Sequence, residues 1–175
     1  MTPSASLVSK DAVRIVVWFS KYHHILALLA GVLRIVHPEQ FDLGYQALYK
    51  LRVSPNDVKD IEYVSLILEA WALPFTGAAI LVNRETHSHR DLDAPQQGFD
   101  LCATLGTYTL GEFRLPDLQT TLFYPPGTTV LLLARTLKHE VPHVDGERAA
   151  IVLFNKDSVL EGIKLDTAPW PASLR

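Results

Sequence analysis

Two histidines and an aspartate stand out as residues that could bind a metal ion. His89 and Asp91 flank a single arginine in the segment H-R-D, and His139 follows later in the chain. Side chains two positions apart on a strand point to the same side, so His89 and Asp91 could offer a nitrogen and an oxygen to one ion. His139 follows a long apolar segment and could supply the third ligand from a separate strand. The sequence therefore predicts a metal site with two imidazoles and one carboxylate.

This ligand set is typical of non-haem iron oxygenases, in which the remaining coordination positions stay open. Arg148 follows His139, after a turn predicted at Gly146. The planar guanidinium of arginine can bind a carboxylate through two parallel hydrogen bonds, which makes it better suited to this task than lysine. The pattern therefore predicts iron(II), a 2-oxoglutarate molecule whose carboxylate Arg148 binds, and dioxygen.

Two further histidines lie close to these residues in the sequence. His87 precedes His89 and would form with it an H-x-H pair, the ligand pattern of a cupin. His143 lies nearer to Arg148 than His139 does. Both are alternatives for the ligand roles, and we expect them near the pocket, as groups that either support the ligands or face the substrate.

The elements that must position these side chains are short strands. After Pro74, residues such as Gly, Pro and Asp separate strand-like segments, which lie at 78–84, 99–105, 111–115, 121–124, 128–135, 139–143 and 147–154. Such segments favour a closed or two-sheet antiparallel structure, which buries one face of each strand and protects the edges. We therefore predict an α+β chain with a β core at about 75–157.

The preceding part of the chain, at about 9–70, is predicted to be helical because its apolar residues recur at helical spacing. One helix is predicted at 38–51, with Pro38 at its first position, Glu39 in its first turn and Lys50 in its last. The segment S-P-N-D at 54–57 predicts a loop. We expect the helices to pack outside the β core, and the tail after Asn155 to be loosely attached.

Composition and length are those of an ordinary globular protein. With 175 residues, 48% apolar and 20% charged, the chain is predicted to form a single domain at 1–175. Its one cysteine, Cys102, cannot form an internal disulfide and lies in an apolar segment. We expect a buried thiol and an intracellular protein without a structural disulfide.

The distribution of charge bears on the choice of partners. Arg14, Lys21 and Arg34 interrupt the apolar stretch at 13–36, so we expect no membrane-spanning segment. The net charge of -3 lacks the basic excess that is usual for a duplex-binding protein. A basic rim around a pocket is compatible with an acidic chain, so this charge weakens the case for DNA without excluding it.

The segment at 83–157 resembles the oxygenase domain shared by the ten-eleven-translocation and J-binding-protein (TET/JBP) enzymes, especially their compact fungal relatives. The matching motifs are N-R-E-T-H-S-H-R-D at 83–91, D-L-C-A-T-L-G-T-Y at 100–108, L-P-D-L at 115–118, Y-P-P-G-T-T-V at 124–130, L-K-H-E-V at 137–141 and D-G-E-R at 145–148.

The resemblance implies a double-stranded β-helix, a jelly-roll or cupin-like fold, with helices packed outside. It implies that His89, Asp91 and His139 bind iron(II) and that Arg148 binds 2-oxoglutarate. The implied substrate is the methyl group of 5-methylcytosine or thymine in DNA, which would include the nucleus among the expected locations. Asn83 would correspond to an asparagine that helps to hold the flipped base.

Two other functions are compatible with the sequence. The first is a 2-oxoglutarate oxygenase that acts on a small molecule or a protein side chain, which suits the acidic charge. The second is a non-catalytic β-helix module that keeps a metal for interaction or structure. The sequence leaves open the preference for single or double strands, the oligomeric state and the role of the N-terminal helices.

Overall fold

A computed structural model describes residues 12–53 and 61–170, apart from the side chains of residues 61 and 63. The chain divides into two compact units. One comprises Met1–Thr76 and Ser158–Arg175, and the other is Gly77–Asp157. The predicted loop at 54–57 and the predicted helix start at residue 9 lie outside the described residues. The single domain at 1–175 stays a prediction.

The first unit contains the helices α1 (Ala12–Val36), α2 (Pro38–Val53) and α3 (Ile61–Ala70). Helix α2 begins at Pro38, as predicted. Arg52 in its last turn donates hydrogen bonds to the carbonyl oxygens of Leu68, at 2.6 Å, and Trp71, at 2.9 Å. These carbonyls lie at the end of α3 and have no partner within that helix, so Arg52 satisfies them.

The tail after Asn155 is better ordered than the sequence indicates. It forms a short helix, α4 (Asp157–Gly162), and Leu160 in this helix is fully buried. Lys50 of α2 donates hydrogen bonds to the carbonyl oxygens of Ile163 and Lys164, at 3.1 and 3.0 Å. The prediction of a loosely attached tail is therefore wrong for this segment, because an apolar side chain and a lysine hold it.

Helix α1 is long and apolar enough to cross a membrane, judged by length and composition alone. The core helix of a soluble protein and an N-terminal signal sequence meet the same criterion. Leu26, Leu29 and Leu33 of this helix are buried, at the three- and four-residue spacing of one helical face. A single helix of this kind is weak evidence, so the expectation of a chain without a membrane span stays a prediction.

The second unit consists of eight strands in two antiparallel sheets. The first sheet has the order β1-β8-β3-β6 and the second has the order β2-β7-β4-β5. The strands are β1 (Gly77–Val82), β2 (Thr86–His89), β3 (Asp100–Gly106), β4 (Glu112–Leu115), β5 (Thr120–Phe123), β6 (Thr129–Leu132), β7 (His139–Val141) and β8 (Arg148–Phe154). The chain passes from one sheet to the other at every connection except the hairpin β4–β5. This order is that of a double-stranded β-helix, so the predicted fold is confirmed.

Strand β2 is the one strand that the sequence did not predict as an element of its own. Its residues, T-H-S-H, are polar and lack the alternation of apolar side chains that marks a half-buried strand. The other predicted segments correspond to strands with shifted ends, and 128–135 shrinks to Thr129–Leu132. Pairing with β7 forms β2 despite its composition.

The core of this unit lies between the two sheets. Strand β4 alternates, with Phe113 and Leu115 buried and Glu112 and Arg114 exposed. The cluster that contains Phe113 and Leu115 also includes Cys102, Tyr124, Leu132, Ala134 and Val141. Cys102 is a buried free thiol, as predicted.

Candidate metal centre

The three predicted ligands meet where β2 pairs with β7. His89 lies opposite His139 in the antiparallel register, and a register shift interrupts β2 between Thr86 and His89. Such bulges redirect side chains and are frequent beside active sites. Asp91 follows β2, and its backbone N–H donates to the carbonyl oxygen of Ala134 at 3.0 Å. This bond holds the H-R-D segment against the chain that leads to β7.

The ligand atoms of these residues form a compact group. His89 Nε2 lies 3.3 Å from Asp91 Oδ1, and His139 Nε2 lies 3.7 Å from Asp91 Oδ2. Among the described residues, these three side chains form a group that could hold a metal ion. Their ligand atoms all lie within 4.8 Å of one another. Metal–ligand bonds of about 2.1 Å at right angles place neighbouring ligand atoms about 3 Å apart. The observed spacing therefore fits one ion.

The two imidazoles are oriented by backbone carbonyls. His89 Nδ1 lies 2.8 Å from the carbonyl oxygen of His87, and His139 Nδ1 lies 3.2 Å from that of Leu137. A ring that donates from Nδ1 carries its lone pair on Nε2, the atom that faces Asp91 in both residues. Hydrogen bonds of this kind fix the tautomer of metal-binding histidines.

Burial differs among the three side chains and affects their protonation. The side chain of His139 is 7% exposed, whereas those of His89 and Asp91 are 40% and 42% exposed. Burial lowers the pKa of His139, and the positive charge of a protonated His89 would lower it further, against the raising effects of the Leu137 hydrogen bond and of Asp91. A neutral imidazole is the form that binds a metal. The lowered pKa therefore favours the metal-binding form of His139.

A cavity of about 550 Å³ opens between the sheets at this group. This volume is typical of small-molecule sites. Its walls come from alternate residues of the strands, because every second side chain of a strand faces the same way. The first sheet contributes Ala79, Leu81, Asp100, Cys102, Arg148, Ala150, Val152 and Phe154, and the second contributes Thr86, His89, Phe113, His139 and Val141.

Arg148 begins β8 and is 4% exposed. Gly146, with a φ of 111°, forms the preceding turn, a conformation that favours glycine. The backbone N–H of Arg148 donates to Asn83 Oδ1 at 2.7 Å, and its guanidinium donates to the carbonyl oxygen of Arg84. A buried guanidinium in the cavity wall, with donors to spare, suits an anionic ligand.

The other predicted site residues lie outside this wall. His87 and His143 are exposed and lie near Glu85 and Asp145, at 3.8 and 3.9 Å. Neither is among the residues that line the cavity.

Asn83 does not line the cavity either. Its Oδ1 accepts from the Arg148 backbone N–H, and its Nδ2 donates to Glu147 Oε2 at 2.7 Å. Both the oxygen and the nitrogen of the Asn83 amide are hydrogen-bonded, so Asn83 links the end of β1 to the start of β8. A role of Asn83, His87 or His143 in substrate binding stays a prediction.

The sequence did not indicate a role for Arg90 and Asp117. Together they link the segment that carries His89 and Asp91 to the segment that carries His139. Arg90 donates to Asp117 Oδ2 at 2.9 Å and to the carbonyl oxygen of Thr136 at 3.0 Å. The same Asp117 oxygen accepts the backbone N–H of Lys138 at 2.7 Å. The Lys138 hydrogen bond, with a smaller effect from Arg90, lowers the pKa of Asp117. The motif L-P-D-L was visible in the sequence, but its contact with Arg90 was not.

Asp100 was also missed, although it is a charged residue at the edge of an apolar segment. It is 3% exposed and lines the cavity, and its Oδ1 has no hydrogen-bond partner among residues 12–53 and 61–170. Burial, followed by the nearby Asp91 carboxylate, raises its pKa well above the ordinary value of 3.8.

The ligand set and its surroundings fit iron(II). Two imidazoles and one carboxylate leave coordination positions open on the side of the cavity, which is the arrangement of non-haem iron oxygenases. Closed structural sites usually complete the coordination with a fourth protein ligand. No fourth histidine, cysteine or acidic residue joins this group among residues 12–53 and 61–170.

Comparison with known proteins gives a family match and likenesses to several solved structures, two of which follow. A sequence model of the TET/JBP family, the oxygenase domain of the 2OGFeDO superfamily, matches residues 3–157. The solved structure of NgTET1 in complex with 5mC DNA is 19% identical, with a TM-score of 0.46, and the match covers 62% of this chain. An RmlC-like cupin from Desulfovibrio desulfuricans is 16% identical, with a TM-score of 0.31, and the match covers 44% of this chain and 71% of the cupin.

The present chain spans 40% of the NgTET1 chain. No curated protein sequence matches it.

Proposed function

Since this chain belongs to the TET/JBP family of oxygenase domains, which use iron(II), 2-oxoglutarate and dioxygen, we propose that it oxidises the methyl group of 5-methylcytosine or thymine in DNA. The observation that carries the proposal is the family match, which extends over residues 3–157. The motifs at 83–91 and 137–148, which place the candidate ligands and Arg148, lie within the matched region.

We further infer that His89, Asp91 and His139 hold the iron and that Arg148 binds the distal carboxylate of 2-oxoglutarate. The support is the convergence of the two Nε2 atoms and the Asp91 carboxylate and the burial of Arg148 in the wall of the same cavity. When bound, iron and 2-oxoglutarate together activate dioxygen for attack on a substrate C–H bond. The protein's part is to hold the ligands, fix the co-substrate and keep water away.

The cavity wall suits an apolar reacting group. On β8, Ala150 and Val152 face the cavity beyond Arg148, and Phe113 approaches from the second sheet. Small and apolar side chains leave room for a methyl group and offer no competing hydrogen bonds. A base within a duplex would have to be flipped out of the stack to reach this site.

A second candidate is oxidation of a small molecule or a protein side chain. The observation that favours it is the net charge of -3, because neutralisation of phosphates contributes much of the affinity of proteins for DNA. The two candidates share the metal centre and the 2-oxoglutarate site. They differ only in the product.

The first experiment tests the metal centre. Anaerobic titration of the apo protein with iron(II) and 2-oxoglutarate should produce the weak visible charge-transfer band of the chelate. The band should be lost in His139→Ala and kept in His143→Ala, because His143 is exposed and lies outside the cavity wall. If the wild type shows no band, the ligand assignment fails and a non-catalytic module becomes the leading account.

The second experiment tests the substrate. The loaded enzyme is incubated in air with single-stranded and duplex oligonucleotides that contain 5-methylcytosine, thymine or unmethylated pyrimidines only, and the nucleosides are analysed by mass spectrometry. Hydroxymethyl products from a methylated base support the proposal. Consumption of 2-oxoglutarate without a modified nucleoside would instead support a small molecule or a protein as substrate.

A further inference from the structure

Asp100 is a buried acid that is not one of the candidate metal ligands. Its Oδ1 lacks a hydrogen-bond partner among the described residues, and the side chain lines the cavity. An unpartnered buried carboxyl group destabilises the folded chain. Native proteins keep few such groups, and a ligand that completes the hydrogen bond is one reason to keep one.

Asp100 lies far along the wall from Arg148. In the pairing of β3 with β8, Leu101 is opposite Leu153, whereas Gly106 is opposite Arg148. A rise of about 3.3 Å per residue therefore places Asp100 and Arg148 roughly 20 Å apart along the sheet. Arg148 is therefore too distant to neutralise Asp100.

Asp100 does not belong to the group of candidate ligands, which consists of His89, Asp91 and His139. It is close enough to that group for the Asp91 carboxylate to raise its pKa. A carboxyl group offers a hydrogen-bond acceptor whether or not it is protonated, so a suitable partner for it is a hydrogen-bond donor on the substrate.

We propose that Asp100 recognises the substrate base by accepting a hydrogen bond from a ring or amino N–H on its Watson–Crick edge. This inference rests on the proposed function. The N4 amino group of cytosine and the N3–H of thymine are donors of this kind, and flipped bases are commonly recognised through that edge. A protonated Asp100 could in addition donate to the neighbouring acceptor of the base, since a carboxylic acid offers one donor and one acceptor.

The test compares Asp100→Asn with Asp100→Leu. Asparagine keeps an acceptor and a donor in nearly the same shape, whereas leucine keeps the size and removes both. We expect Asp100→Leu to raise KM for a methylated oligonucleotide at least tenfold, and Asp100→Asn to stay within about threefold of the wild type. Both should show the wild-type chelate band, which reports an intact metal and 2-oxoglutarate site.

Each other result overturns the inference in a distinct way. An unchanged KM in Asp100→Leu means that the base does not contact this residue. Loss of the chelate band in both variants assigns Asp100 to the metal centre. An equal loss in both variants, with the band intact, means that the negative charge and not the hydrogen bond is required. If the wild type itself modifies no methylated oligonucleotide, the proposed function fails, and the inference fails with it.

Discussion

His89 and His139 lie opposite each other on the neighbouring strands β2 and β7, with their ring centroids 4.3 Å apart. The pairing of two strands thus sets the distance between two candidate ligands that are far apart in sequence. Asp91 approaches both imidazoles from the end of β2. The geometry of the metal centre therefore depends on whatever holds these two strands in register.

The contact between Arg90 and Asp117 should control iron affinity. Asp117 joins the side chain beside His89 to the backbone N–H beside His139. We expect Asp117→Ala and Arg90→Ala each to weaken iron(II) binding about 10- to 100-fold, the usual effect of residues that orient metal ligands. Anaerobic iron titration measures this, and thermal unfolding of the apo protein shows whether the variants stay folded.

Arg114→Ala is the matched control for this pair. Arg114 forms ion pairs with Glu112 on its own strand and with Glu140, which follows His139 on β7. It reaches the ligand-bearing strand through that side chain only, whereas Asp117 accepts a backbone N–H of the ligand segment. Exposed ion pairs contribute little to stability, so iron affinity should be unchanged. If Arg114→Ala weakens iron(II) binding as much as Asp117→Ala does, the loss comes from a general disturbance of the second sheet and not from the Asp117 contact.

Arg148→Lys should affect 2-oxoglutarate and leave iron binding intact. Lysine keeps the positive charge but loses the planar pair of donors. We expect KM for 2-oxoglutarate to rise at least tenfold, with iron affinity within about twofold of the wild type. Steady-state consumption of 2-oxoglutarate, measured against its concentration, gives the first value. An unchanged KM would remove Arg148 from the co-substrate site.

The sequence predicted the β core and the pairing of His89 with Asp91 from local features, namely the strand-like segments and the spacing of H-R-D. His139 is distant in the sequence, and its choice as the third ligand depended on the resemblance to the TET/JBP enzymes. It did not predict β2, whose polar residues form a strand only through pairing with β7. It also gave no sign of the contact between Arg90 and Asp117, which belong to separate segments of the chain. Contacts of this kind depend on the register between strands, which the local pattern does not specify.

The sequence also did not indicate a role for Asp100, for a different reason. An aspartate at the edge of an apolar segment is ordinarily a solvated strand end. Its significance comes from its burial and from the lack of a partner for Oδ1 in the part of the chain that the structure describes. Both are properties of the assembled cavity.

Cys102 should be inert in the folded protein. Burial, followed by the nearby Asp100 and Asp91 carboxylates, raises the pKa of its thiol to about 12. Only the thiolate reacts readily with alkylating reagents and disulfides. At about pH 8 we therefore expect negligible labelling by a thiol reagent in buffer and complete labelling of one thiol per chain in denaturant. Rapid labelling of the native protein would contradict the buried position.

Asp100→Asn should change how the stability of the apo protein depends on pH. The pKa of Asp100 is raised in the folded chain above the ordinary value of 3.8. As pH rises above that value, the unfolded chain loses the proton while the folded chain keeps it. The folded state then binds more protons, so the contribution of Asp100 to the free energy of unfolding falls with rising pH until its folded pKa is passed.

Asparagine does not titrate, so residue 100 of the variant causes no such fall in the free energy of unfolding as pH rises. We expect the Tm of Asp100→Asn to exceed that of the wild type by a margin that is smallest near about pH 4 and grows with rising pH until the folded pKa of Asp100 is passed. Calorimetry of the apo proteins in a chelator, across that range, measures the margin. Asp145→Asn is the control for removal of one carboxyl group, because Asp145 is fully exposed. A constant Tm difference for Asp100→Asn would show that the Asp100 carboxyl titrates alike in the folded and unfolded chains.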